Sequence, residues 1–242
     1  SKGVKFIGRS AHAGIAPHEG INALNMAQLA LNNINALRET FREEDKVRVS
    51  AIITSGGDLV NVVPSVATMQ IMVRAASVDA MEDASRKVGR ALKAGALAVG
   101  GKVEIRDQIG YMPLSTDSAL SGLYRENMVA YGGADEDSFV EHYETAGSTD
   151  LGDMCQLMPC MHIWASGISG GLHSKDFKIE DYDRAYVLPA KMLALTVIDL
   201  LYGDAGKAEE IMEAYRPKFT KETYLKYMKE HSVVELFDGS AI

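Results

Sequence analysis

The residues best suited to chemistry stand in short glycine-marked stretches. His12 lies in Gly8-Arg9-Ser10-Ala11-His12-Ala13-Gly14, where an alternating run passes into a chain of small residues. Small neighbours let a ligand or another backbone approach an imidazole closely. His173 lies in Gly170-Gly171-Leu172-His173-Ser174, after an apolar run. Loops at the ends of strands are where α/β folds bind ligands. Arg74 ends a run otherwise built for burial, and a planar guanidinium suits two-point capture of a carboxylate. Asn61, in Asn61-Val62-Val63-Pro64, follows a glycine-rich turn. Each has an ordinary structural explanation when taken singly: a hydrogen-bonding core or surface histidine, a surface ion pair for Arg74, a turn-closing side chain for Asn61.

The elements that must hold these residues can be read from periodicity. Val4, Phe6 and Gly8 alternate as a short strand. Ile21, Leu24, Ala27, Leu31, Ile34 and Leu37 recur at helical spacing. Val47, Val49, Ala51 and Ile53 mark a second strand, and Ala67, Met69, Ile71 and Val73 face the core from a third. A helix is predicted over 78–97, and Val103 and Ile105 mark a fourth strand. Strand–helix–strand–strand–helix–strand is the ferredoxin-like βαββαβ plan, expected over 1–112. The stretch 113–242 reads as the C-terminal part of an α/β domain. It has a helix near 116–131, the loop Ala146-Gly147-Ser148-Thr149-Asp150, and a buried strand at 161–165. A long apolar helix over 181–202 contains Pro189, and a charged, helical tail begins at about residue 203. One or two strands do not make a parallel sheet, so further strands are expected to precede residue 1.

Composition bounds the partners. The 242 residues are 47% hydrophobic with a net charge of −8, which argues against nucleic acid and anionic membranes. No apolar run approaches the roughly 20 residues of a membrane span. The two cysteines, Cys155 and Cys160, sit in an apolar stretch and suit a reducing compartment, so a cytoplasmic protein is expected.

Taken together, the motifs resemble the aminoacylase/carnosinase-type family of di-metal peptidases and amidohydrolases, nearest its aminobenzoyl-glutamate hydrolase-like branch. The stretch from Gly8 to Gly14, Pro17 with Asn22-Ala23-Leu24, Gly56-Gly57, Asn61-Val62-Val63-Pro64 and Val73-Arg74-Ala75 are similar to its lid, or dimerisation, domain. His12 to Asn61 is 49 positions and Asn61 to Arg74 is 13, the family's His, Asn, Arg order. Gly147-Ser148-Thr149-Asp150 and Gly171-Leu172-His173-Ser174 resemble two motifs of its catalytic domain. The resemblance covers about residues 3–202 and implies a homodimer formed through the lid. It also implies two divalent metals, zinc or alternatively manganese or cobalt, and a small amide substrate bearing a carboxylate. His12 matches the lid histidine that stabilises the oxyanion in trans. Asn61 and Arg74 match residues that grip the carboxylate end, also in trans. Thr149 lines the same pocket, and His173 matches a metal ligand.

The family's first metal-binding motif and its pair of glutamates, one of them the general base, have no counterpart here. Glu141, His142 and Glu144, and likewise Asp150 and Asp153, do not stand where the family places ligands; an exposed acidic helix face accounts for the first group. The chain is therefore expected to be the lid and C-terminal catalytic part of a longer metal-dependent amidohydrolase, inactive by itself. The alternatives are a non-catalytic dimerisation or small-molecule-binding module, or an amino-acid-binding regulatory domain over 1–112.

Overall fold

The computed structural model describes residues 1–139 and 147–241. In chain order the elements are β1 (Lys2–Ile7), α1 (Ala23–Ala36), β2 (Arg48–Ser55), β3 (Val66–Arg74), α2 (Val78–Leu97), β4 (Lys102–Asp107), α3 (Ser118–Tyr131), α4 (Leu151–Met154), β5 (Ile168–Ser169), β6 (Lys178–Ile179), α5 (Leu188–Leu201), α6 (Gly206–Ala214), α7 (Lys221–Glu230) and β7 (Val234–Asp238). They divide into two units: 1–114 with 147–149 and 221–241, and 115–139 with 150–220.

The first unit is an antiparallel sheet in the order β2-β3-β1-β4-β7. Its first four strands have the ferredoxin-like arrangement expected from the sequence. Strand alternation sends Val4, Phe6, Ala67, Met69, Ile71, Val73, Val103 and Ile105 into one core. Two alanine-rich helices cover that face. α1 contributes Ala23, Met26, Ala27, Ala30 and Ile34, and α2 contributes Ala84, Val88, Ala91, Leu92 and Ala96. Each helix starts at a side-chain cap: Asn25 N donates to Asn22 Oδ1 at 3.0 Å, and Ala80 N donates to Ser77 Oγ at 3.2 Å.

The tail departs from expectation. Gly206–Ala214 and Lys221–Glu230 are helices, but Val234–Asp238 is a fifth strand, laid antiparallel along β4. Lys102–Asp238 and Lys93–Glu235 ion pairs of 2.6 Å flank it, and Phe237 packs against the core. Lys102, then Ser240, draws the Asp238 carboxyl down to about 2. A five-residue strand whose partner lies some 130 positions away leaves little local signal to read.

The second unit is mainly helical. α3 and α5 pack together, with Asn127 Nδ2 donating to Asp199 Oδ2 at 2.7 Å and to the Leu123 carbonyl at 3.2 Å. Pro189 stands in the first turn of α5, where no backbone N–H is required of it. The apolar run at 161–165 is not a strand, and Trp164 within it is exposed. A strand needs a hydrogen-bonding neighbour, and the described residues of this unit offer only the short hairpin β5–β6. Cys155 and Cys160 are free and buried; burial and the adjacent Cys155 push the Cys160 thiol up to about 11. Val197, Ile198 and Leu201 of α5 are exposed. Among the described residues no single helix is long and apolar enough to cross a membrane.

Phe6 is fully buried at the centre of the first unit. Phe6→Ala is expected to cost about 3–5 kcal/mol of unfolding free energy in a denaturant titration of that unit.

Candidate functional site

The loop carrying His12 is an extension of the β1–β3 ladder. The strands pair from Lys2↔Ile71 to Ile7↔Val66, and the pairing then continues beyond the sheet. Gly8 N donates to Ser65 O at 2.7 Å, Val63 N to Ala11 O at 2.9 Å, and Ala13 N to Asn61 O at 3.0 Å, with His12 opposite Val62. The loop closes on itself where Arg9 and Ile21 exchange two backbone hydrogen bonds of 2.9 Å. Gly8 makes that closure possible, since a Cβ there would lie 2.0 Å from the Ile21 carbonyl oxygen. His12 and Asn61 are thus brought together at one end of the sheet, both of them exposed. The His12 ring is not loose: Gly14 N donates to its Nδ1 at 3.1 Å and Ile15 N at 3.2 Å.

Arg74 stands at the other end. β3 runs from Val66 to Arg74, and eight steps of about 3.3 Å put its two ends about 26 Å apart. His12 and Asn61 lie beyond the Val66 end. Arg74 and Asn61 of one chain therefore cannot grip one small carboxylate together. The Arg74 guanidinium donates through Nε to Met72 Sδ at 3.0 Å and forms no ion pair among the described residues. It lines a cleft of about 720 Å³ within the first unit, together with Ser148, Arg90, Glu82, Tyr227 and His231. The loop of Thr149 thus reaches the Arg74 end, with Thr149 half-buried. Burial, followed by the neighbouring Glu82 carboxylate, pushes the Tyr227 phenol up. His231 stacks on Tyr227 with ring centroids 4.0 Å apart.

α7 as a wall of the Arg74 cleft was not foreseen from the sequence. Tyr227 and His231 are spaced one helical turn apart, but only the return of the chain to β4 brings them to Arg74. Nor does the sequence disclose the two amides that hold His12.

His173 belongs to the second unit, in the loop between β5 and β6. It is exposed and has φ +60°, a left-handed conformation uncommon outside glycine. Non-glycine residues in that region cluster at functional sites. The turn is held by Ser174 N to Gly171 O at 3.0 Å and Phe177 N to Ser174 O at 3.1 Å. Lys178, then Ser169, holds the Glu180 carboxyl at its base below the usual range. Among the described residues no three His, Cys, Asp or Glu side chains, His173 included, are grouped so as to hold a metal ion. Glu141, His142 and Glu144 lie outside the described residues; Asp150 instead caps α4, accepting from Leu151 N at 3.1 Å. The described residues therefore do not fit a di-metal centre by themselves.

Comparison with known proteins agrees with this architecture. Residues 3–99, from β1 to the end of α2, match the family model described as the peptidase dimerisation domain. The chain is 30% identical over 224 residues to the Xaa-Arg dipeptidase of Mus musculus, covering 89% of this chain and 50% of that protein. It is 24% identical over 270 residues to a polypeptide of the p-aminobenzoyl-glutamate hydrolase of Escherichia coli (strain K12), covering 88% and 56%. An aminopeptidase structure from Bacillus cereus superposes with a TM-score of 0.56 at 19% identity, covering 88% of this chain and 50% of that one. Residues 3–99 are thus similar to a peptidase dimerisation domain, and the chain as a whole is similar to a dipeptidase and to an amide hydrolase. It spans about half the length of the curated relatives it matches.

Gly8→Ala is expected to open the Arg9–Ile21 closure. Hydrogen exchange should then accelerate across residues 9–21 while the β1–β3 amides stay protected. Unchanged protection in the loop would show that its closure does not depend on Gly8.

Proposed function

We propose that the chain works within a metal-dependent amidohydrolase or peptidase, acting as a homodimer on a small amide that carries a free carboxylate. The observation that carries the reading is the separation of the two halves of the site across the lid. His12 and Asn61 occupy one end of the sheet, and Arg74 with the Thr149 loop the other, about 26 Å along β3. One small substrate can meet all four only if two copies contribute. His12 and Asn61 would then come from one copy, and Arg74 and Thr149 from its partner. The names of the relatives, dipeptidase and aminobenzoyl-glutamate hydrolase, support an amide substrate of this class.

The chemistry asked of each residue is modest. Arg74 binds and orients the carboxylate through charge-assisted hydrogen bonds. His12 donates a hydrogen bond where negative charge develops on the amide oxygen. Asn61, beside it, can donate or accept through its amide. A divalent metal such as zinc, manganese or cobalt would activate the attacking water. His173 would be one ligand, and the remaining ligands and the general base would come from outside the described residues. The free edge of β2 is the favoured dimer surface: it pairs with β3 alone and exposes Ile52 and Ile53, features that invite pairing with a second strand. A non-catalytic module would keep the dimer without turnover. The free, buried thiols suit a reducing, cytoplasmic setting.

Mixed dimers of the intact protein test the arrangement. Arg74→Ala should raise KM for carboxylate-bearing substrates about tenfold or more, as for loss of a charged hydrogen bond worth about 1.5–3 kcal/mol. His12→Ala should lower kcat on the order of a hundredfold. Dimers containing one chain of each variant should regain one working site, with near wild-type KM and about half the wild-type kcat. If the two residues served one site from the same chain, mixed dimers would do no better than their parents, and the reading would fail.

A further inference from the structure

A histidine asked to donate a hydrogen bond must carry its proton on the outward nitrogen. A neutral imidazole has two tautomers, and in water neither is fixed by the side chain itself. At His12 the backbone decides. The Gly14 and Ile15 amides both point at Nδ1, at 3.1 and 3.2 Å. An N–H needs a lone pair, so Nδ1 must be the unprotonated, accepting nitrogen. The proton of the neutral ring is then on Nε2. Ile15 N also approaches the His12 carbonyl at 3.3 Å, and Ala16 N donates to that carbonyl at 3.0 Å, which ties the turn to the residue whose ring it holds.

We infer that the turn 13–16 is a tautomer lock: the Gly14 and Ile15 amides hold His12 as the Nε2–H form, with Nε2 as its outward donor. This rests on the proposed role of His12 for its catalytic meaning, but the lock is a property of the lid and can be tested without turnover. Gly14 and Ile15 are positioning residues that act through their main chain. The side chain of Ile15 takes no part, being largely exposed. The lock also gives a reason for the small residues after His12: the chain must double back within two positions for successive amides to converge on one ring nitrogen.

Nitrogen-15 NMR of the histidine rings reads the tautomer directly. In the wild-type protein at a pH where His12 is neutral, Nδ1 should resonate as an unprotonated acceptor and Nε2 as a protonated nitrogen. Ile15→Ala keeps the amide and should keep that pattern. Ile15→Pro removes the N–H and should move the His12 signals towards the averaged values of a freely exchanging ring, with the amide spectrum of the β-sheet unchanged. A wild-type ring with its proton on Nδ1, or averaged signals already in the wild-type protein, would overturn the inference. So would an identical pattern in Ile15→Pro. Should the locked pattern be found while His12→Ala retains full turnover, the catalytic reading of His12 fails and the lock stands.

Discussion

The ladder between β1 and β3 is the constraint on which the rest depends. Antiparallel pairing fixes register residue by residue, so once Phe6 faces Ala67 the partners of every residue along the two strands follow. The same pairing continues off the sheet into 8–13 and 61–65, which is why two loops remote in sequence hold His12 beside Asn61. The alternation that aims Phe6 and Met69 into the core also leaves the opposite face of β3 open, with Met72 exposed on it. A slip of one residue would bury the polar face and scatter the loop contacts together. Core packing and site geometry are therefore one constraint rather than two.

The helices make that constraint tight. α1 and α2 meet through alanines, and where small residues line an interface two backbones approach closely. This brings α2 down on the sheet and sets one wall of the Arg74 cleft; α7, returning with β7, sets another. The second unit shows the reverse situation. Its longest apolar helix, α5, keeps Val197, Ile198 and Leu201 in the open, and its cysteines and Met192 are among its few buried apolar residues.

What was legible in the sequence follows from the range of the interactions. Strands β1, β3 and β4 and helices α1 and α2 bury one face each against a single core, so their periods of two and 3.6 appear as runs of Val, Ile and Ala. The helices also begin close to where their apolar periodicity begins, because Asn22 and Ser77 cap them locally. β7 was not readable, since its pairing with β4 is a long-range event and Val234 to Asp238 is too short to show alternation. The run at 161–165 misled for the opposite reason: its apolar composition promised a strand, but composition does not supply the neighbour that a strand must pair with.

The candidate site divides in the same way. Glycine- and proline-marked loops drew attention to His12, Asn61 and His173 and a strand end to Arg74, but it was the resemblance to a known family that joined them, with Thr149, into one candidate set. Their distribution over the molecule was not legible, because spacing along the chain says nothing of which end of a strand a residue reaches. Thirteen positions separate Asn61 from Arg74; within a helix that would be about 20 Å, and in a tight turn they could touch. Here most of the interval is extended β3, which holds the two apart. A rigid strand longer than any small substrate sits between two sets of polar groups, so the lid presents them as separate halves. Dimerisation is then a requirement of the proposed chemistry, beyond any stability it adds. In that proposal two copies of the sheet would each lend one half of the polar groups to a shared pocket.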